Sequence, residues 1–149
     1  MRAALLSGLA LVLLVFSCSG SLAAESRNCP YTPAPETAER KAIVDALRKP
    51  VTKDLGQSVI FVISDLNVCG DWAFVAAEPK RKNGTPVDWS LGSYADDMAN
   101  DVCGGLVHAL LVKRGGTWTV RELAVCATDV PWIPWADDFG APPALFPEL

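Results

Sequence analysis

The chain has 149 residues, 50% of them hydrophobic, and a formal net charge of −4 at pH 7. A modestly acidic chain is a poor candidate for binding nucleic acid or an anionic membrane surface, because both carry charge of the same sign. About 125 residues remain once the N-terminal segment described next is set aside, which is enough for one domain with its own core.

The N-terminal segment has the pattern of a secretory signal peptide. Arg2 precedes an apolar run over residues 3–16, and small residues follow it as far as Ala23 and Ala24. A charged start, a short apolar core and a small-residue end are typical of cleaved export signals, and the apolar run is short for a membrane span. We predict a signal peptide over residues 1–23, with cleavage after Ala24 as the alternative, and export to the periplasm or the extracellular space.

Residues 15–18 offer a different processing site, because they resemble a lipobox. Cleavage there would make Cys18 the lipidated N-terminus of an outer-membrane lipoprotein. Phe16 is bulky where a small or β-branched residue is usual, so we favour soluble export. Both alternatives leave four cysteines in an oxidising compartment, where disulfides form. They are Cys29, Cys69, Cys103 and Cys126.

The mature chain begins with a polar, proline-rich segment over residues 24–35, which predicts an extended lead-in to a single domain over residues 36–149. Apolar residues then recur at helical spacing over residues 36–49, and charged residues occupy the other face. The apolar positions are Ala42, Ile43, Ala46 and Leu47. Pro50 is expected to end this helix, because it has no backbone N–H and clashes with the preceding turn.

Four strands are predicted after the helix, from runs rich in Val and Ile without helical period. Their ranges are residues 58–68, 72–78, 106–113 and 118–126. A long polar excursion separates the second strand from the third, and Gly115-Gly116 forms a hairpin turn between the last two. In the first strand, alternation places Ile60, Val62, Leu66 and Val68 on one face and Val59, Phe61 and Ile63 on the other.

This order of elements predicts an α+β fold in which the N-terminal helix packs on a four-stranded antiparallel meander. Both faces of the first strand are apolar near Phe61, and the helix can cover only one of them. The Pro/Trp-rich C-terminal tail is therefore expected to cover part of the other face with Trp132, Trp135 and Phe139.

The meander narrows the three ways in which four cysteines can pair. Antiparallel register in the last hairpin places Cys126 near Cys103. Cys69 lies in the first hairpin turn, and a helix antiparallel to the first strand brings Cys29 to the same end. We predict structural disulfides between Cys29 and Cys69 and between Cys103 and Cys126, since no spacing typical of zinc ligands occurs.

No catalytic constellation is apparent in the sequence. His108 is the single histidine, and its apolar strand implies neither a nucleophile nor an orienting partner, which favours a structural role. Asp137 and Asp138 lie beside Trp135, as paired acids do in some glycosidase clefts, but adjacent residues usually point apart. We therefore predict no catalytic residue and no cofactor.

Two charged clusters have simple interpretations. Asp96, Asp97 and Asp101 lack the spacing of a calcium-binding loop, so we interpret them as a solvated acidic loop or short helix and predict no metal. The basic residues 80–82 adjoin Asn83-Gly84 and indicate a solvated loop rather than a nucleic-acid site.

The aromatic tail is the remaining candidate binding surface. Trp132, Trp135 and Phe139 could stack on sugar rings or on a partner protein. The alternative is a lid over the sheet, which we prefer because exposed aromatic patches are uncommon on monomers.

Five segments of the chain together carry a resemblance: residues 39–48, 59–62, 70–75, 116–120 and 129–142. They resemble a group of small exported bacterial proteins of unknown function, and the four cysteines lie outside that pattern. The order of elements is also similar to cystatin-like and nuclear-transport-factor-like folds. The resemblance implies bacterial export and a single domain, and it implies no activity or catalytic residue.

Three hypotheses for function follow. The first is a monomeric, non-enzymatic binding or inhibitory module whose partner is an envelope protein. The second is a small nuclear-transport-factor-like enzyme with a pocket between helix and sheet. The third is a structural envelope lipoprotein lipidated at Cys18.

Overall fold

The structure is a computed structural model that describes residues 28–148. The predicted signal peptide, its cleavage positions and Cys18 lie outside the described residues. The predicted α+β fold is confirmed, with one long helix before a four-stranded antiparallel sheet. The elements are α1 (Ala38–Leu55), β1 (Val59–Cys69), β2 (Trp72–Arg81), α2 (Ala95–Ala99), β3 (Leu106–Arg114), β4 (Thr117–Ala127) and α3 (Trp135–Phe139). Within residues 28–148, no helix is both long enough and apolar enough to cross a membrane.

Helix α1 is longer than predicted, and the expectation that Pro50 ends it is wrong. The helix begins after Thr37, whose hydroxyl accepts a hydrogen bond from the Arg40 N–H at 3.3 Å, and it ends at Gly56 in the left-handed conformation. Its buried residues recur at every fourth position: Ile43, Leu47, Val51 and Leu55. Two of these lie beyond the proline, and their burial, worth about 1.5–3 kcal/mol each, offsets the hydrogen bond that the proline removes.

The sheet has the strand order β1-β2-β3-β4, and each neighbouring pair is antiparallel. The register of β1 against β2 shifts between Ile63 and Asp65, so Ser64 is the extra residue of a β-bulge. The bulge reverses the alternation, and the predicted faces of β1 are therefore wrong. One face, which we call the helix face, carries Val59, Phe61, Ile63, Leu66 and Val68. Ile60 and Val62 lie on the opposite face.

The two faces of the sheet are covered by different parts of the chain. On the helix face, α1 lies closest to β4 and β1, and its buried residues share one core with fully buried residues of β2 and β3, including Val75 and Leu111. On the opposite face, which we call the tail face, the C-terminal tail packs against Phe74 and Leu110. Asn67 secures this tail, because its side-chain amide donates a hydrogen bond to the carbonyl oxygen of Leu145 at 3.1 Å. The tail thus covers part of the second face, as expected.

Two disulfides join the pairs that the meander favoured. Cys29 is bonded to Cys69 with a Cα–Cα distance of 4.8 Å, and Cys103 to Cys126 with 4.6 Å. The first bridge fixes the lead-in to the end of β1, next to a pair of backbone hydrogen bonds between Tyr31 and Val68 of 2.9 and 2.8 Å. The second fixes the segment before β3 to the end of β4.

Candidate functional site

Most of the aromatic side chains of the tail pack against the tail face of the sheet. Trp135 is 5% exposed, and its ring centroid lies 6.4 Å from that of Phe74. Trp132 and Phe146 approach the same ring edge-on at 5.4 and 5.5 Å. Phe139 lies at the margin, where the guanidinium of Arg121 is 4.5 Å from its ring centroid. The structure therefore brings Trp132 and Trp135 together around a buried phenylalanine and places Phe139 beside them.

His108 lies beneath this tail. It is 3% exposed, its ring centroid is 4.8 Å from that of Trp132, and its Nδ1 atom has no hydrogen-bond partner within residues 28–148. Burial lowers the pKa of His108 below its usual value, while the carboxylates of Asp65 and Asp129 act in the opposite direction. Among the described residues, Nδ1 therefore has no hydrogen-bonded partner of the kind that orients a histidine for acid–base catalysis.

Stability is expected to fall with acidification through His108. Because the folded-state pKa lies below the unfolded value of about 6.5, the unfolded chain binds more protons between these two values. The free energy of unfolding should therefore be highest above pH 6.5 and decrease as the pH falls towards the folded-state pKa. Urea denaturation at pH 7.5, 6.5 and 5.5 measures this decrease. In His108→Leu the decrease over this range should disappear, and an unchanged pH dependence in that variant would assign it to other groups.

The acidic residues considered in the sequence analysis do not come together in one site. Asp96, Asp97 and Asp101 are exposed on and after α2, and Asp137 and Asp138 are exposed on α3. Within residues 28–148, no group of three His, Cys, Asp or Glu side chains is placed to hold a metal ion.

The outer edge of β1 is a feature that the sequence did not identify. β1 lies at one side of the sheet, and within residues 28–148 its outer edge is paired only where Val68 meets Tyr31. Residues 59–63, which we call the open edge, contain no charged residue and no proline. Ile60 is 39% exposed and Val62 is 54% exposed. Edge strands are usually protected by charges, prolines or covering segments, so an apolar, unpaired edge is unusual.

The first residue of β1, Val59, also borders a cleft of about 780 Å³. We call it the basic cleft, and it is lined by Asp45, Arg48, Lys49, Thr52, Ser58, Val59 and Lys82. Its one carboxylate, that of Asp45, already accepts hydrogen bonds from Lys41 and Arg48, and these hydrogen bonds lower the pKa of Asp45. Lys49 and Lys82 form no ion pair within residues 28–148.

The basic run of residues 80–82 is divided by the fold rather than displayed as one solvated loop. Lys80 lies in β2 and pairs with Glu78, and Arg81 lies 3.7 Å from a carboxylate oxygen of Asp88. Of these three residues, Lys82 alone therefore contributes a charge to the basic cleft that is unpaired among the described residues. The signal that could have located this cleft is the presence of basic residues both in the second half of α1, at Arg48 and Lys49, and just after β2, at Lys82.

Comparison with known proteins adds no family to this geometry. No protein-family model matches the chain, and neither a curated protein nor a solved structure is significantly similar to it. The features of the structure that bear on function are therefore the open edge, the basic cleft and the tail.

Proposed function

We propose that this protein is an exported, non-enzymatic binding module of the cell envelope that accepts a strand of a partner protein along the open edge of β1. The observation that carries the proposal is the apolar, unpaired edge over residues 59–63. Strand addition supplies backbone hydrogen bonds for affinity and alternate side-chain contacts for specificity.

The backbone of the open edge has the geometry that strand addition needs. Val68 directs its N–H and C=O outward to Tyr31, and these groups alternate in direction along an antiparallel strand. With the extra residue at the bulge, the outward positions on its other side are Val59, Phe61 and Ile63. A partner strand would thus pair with three residues while contacting the exposed side chains of Ile60 and Val62.

Two further observations support export and argue against a cytoplasmic role. The chain carries two disulfides, which persist in oxidising compartments. Its N-terminal sequence, which has the pattern of a signal peptide, points the same way. We favour cleavage after Ala23 over lipidation at Cys18, because Phe16 fits a lipobox poorly.

The enzyme hypothesis gains no support from the described residues. It requires polar side chains converging in a cavity between α1 and the sheet. That interface contains the fully buried side chains of Ile43, Leu47 and Val51. His108 lies on the other face of the sheet, beneath Trp132.

Site-specific cross-linking tests strand addition. A photo-reactive amino acid at position 60 should yield a cross-linked partner protein in the envelope of the producing cell, because Ile60 lies within the open edge and is exposed. The same amino acid at position 119, on exposed Thr119 of the opposite edge strand β4, is the matched control and should not. Adding Val62→Lys should abolish the product, since a charge on an edge strand opposes pairing.

Three outcomes contradict the proposal: equal cross-linking from both positions, none from position 60, or a product that survives Val62→Lys. A cross-linked product with the mass of two copies of this chain would also contradict it, because the edge would then serve self-association.

A further inference from the structure

We infer that the partner strand is acidic at the end that reaches the basic cleft, so that its carboxylates bind Lys49 and Lys82. This inference rests on the proposed strand addition, and it names the chemistry of the partner that the open edge accepts.

The basic cleft is continuous with the open edge. Ser58 and Val59, which precede and begin β1, form one wall of the cleft, and α1 forms another through Lys49 and Thr52. Lys82, which directly follows β2, also lines the cleft. A strand that pairs with residues 59–63 would therefore enter the cleft as it passes Val59.

The charge of the cleft differs from that of the chain as a whole. The chain has a net charge of −4, whereas the cleft is lined by Arg48, Lys49 and Lys82 against the single carboxylate of Asp45. Arg48 and Lys41 both hydrogen-bond that carboxylate, which leaves two ammonium groups without a partner within residues 28–148. An anionic group is the complementary occupant, and the hydroxyls of Thr52 and Ser58 can donate further hydrogen bonds to it.

The adjoining apolar edge favours a peptide over other anions. Inorganic phosphate could bind the two ammonium groups, but it would make no use of Ile60 and Val62. A peptide carboxylate satisfies both surfaces at once, because the chain that carries it can continue along β1.

The direction of the strand follows from pairing geometry. Antiparallel pairing is slightly the more stable per residue. β1 begins at Val59, beside the cleft, so the C-terminal end of an antiparallel partner strand lies there. The acidic residues should therefore follow the paired segment in the partner sequence.

Synthetic peptides test this arrangement on the mature chain. The probe alternates threonine and valine and ends in glutamates; one control ends in glutamines, and another carries the glutamates at its N-terminus. Calorimetric titration at low salt should give the probe about fivefold higher affinity than either control, the effect of two exposed ion pairs. Raising the salt concentration should reduce that advantage.

Variants of the protein test whether the preference for the acidic peptide depends on the basic cleft. Lys49→Gln combined with Lys82→Gln should remove the preference for the acidic peptide. Arg114→Gln, an exposed cation in the β3–β4 hairpin without an ion pair among the described residues, is the control and should retain it. Val62→Lys should weaken the acidic and the neutral peptide alike.

The outcomes separate the inference from the proposed function. Equal affinity for acidic and neutral peptides, with both lost in Val62→Lys, overturns the acidic partner and leaves strand addition standing. The inference is overturned if the preference for the acidic peptide persists in the variant without Lys49 and Lys82. It is also overturned if Val62→Lys leaves binding of the acidic peptide unchanged, or if inorganic phosphate alone competes with that peptide. The inference is also overturned if none of the peptides binds. Strand addition itself is tested separately, by cross-linking from position 60.

Discussion

Replacing Phe74 with alanine is expected to lower the free energy of unfolding by about 3–5 kcal/mol, the largest effect of any single substitution that we predict. Phe74 is fully buried at the centre of the tail face. Its ring meets those of Trp132, Trp135 and Phe146 within 6.4 Å. Alanine would leave a cavity beneath all three, and the tail would lose its aromatic contacts with the sheet at this position.

Urea denaturation followed by tryptophan fluorescence measures this effect, because two of the three partner rings are tryptophans. Ile133→Ala is the matched control, since Ile133 belongs to the same tail but is 58% exposed. The control should change the free energy of unfolding by no more than about 0.5 kcal/mol. If Phe74→Ala costs no more than the control, the tail does not stabilise the sheet as the contacts imply.

Removing the Cys29–Cys69 bridge is expected to destabilise the protein by about 4 kcal/mol, because its cysteines are 40 residues apart. The Cys103–Cys126 bridge closes a separation of 23 residues and should contribute about 3.4 kcal/mol. Both figures follow from the conformational freedom that a cross-link removes from the unfolded chain, which grows slowly with loop length.

Paired alanine substitutions, Cys29→Ala with Cys69→Ala and Cys103→Ala with Cys126→Ala, test these values by urea denaturation without reductant. A variant lacking both bridges is the control, since added reductant should not shift its midpoint. Reductant should shift the midpoint of the wild-type protein towards that of this control. Paired variants as stable as the wild type would show that the bridges do not constrain the unfolded chain in the expected way.

Most of the fold could be predicted from sequence because its signals are local. The period of α1 and the alternation of the strands are visible in the residues themselves. The Cys103–Cys126 pair followed from the register of the last hairpin, and the Cys29–Cys69 pair followed from the expected direction of the helix relative to the first strand. The extension of α1 beyond Pro50 could not be predicted in this way, because it depends on burying Val51 and Leu55 in a core assembled from distant segments.

The candidate site escaped prediction for a related reason. A single extra residue at Ser64 leaves no trace in a run as apolar as β1, yet it decides which side chains face α1. Alternation alone separated Ile60 and Val62 from Phe61, but it wrongly grouped these two exposed side chains with the buried Leu66 and Val68. The basic cleft likewise depends on how α1 packs beside the start of β1 and the end of β2, which no local pattern encodes.

The position of the tail in the chain has a consequence for the order of folding. Each strand pairs with the next in sequence, so the sheet can form from local contacts as the chain emerges N-terminus first. The tail emerges only after all four strands that it must help to bury. Until then Phe74 and Leu110 have no cover on their side of the sheet. Synthesis therefore includes an interval in which this face of the sheet exposes apolar side chains and is prone to aggregation, and a holding chaperone would be most useful during that interval.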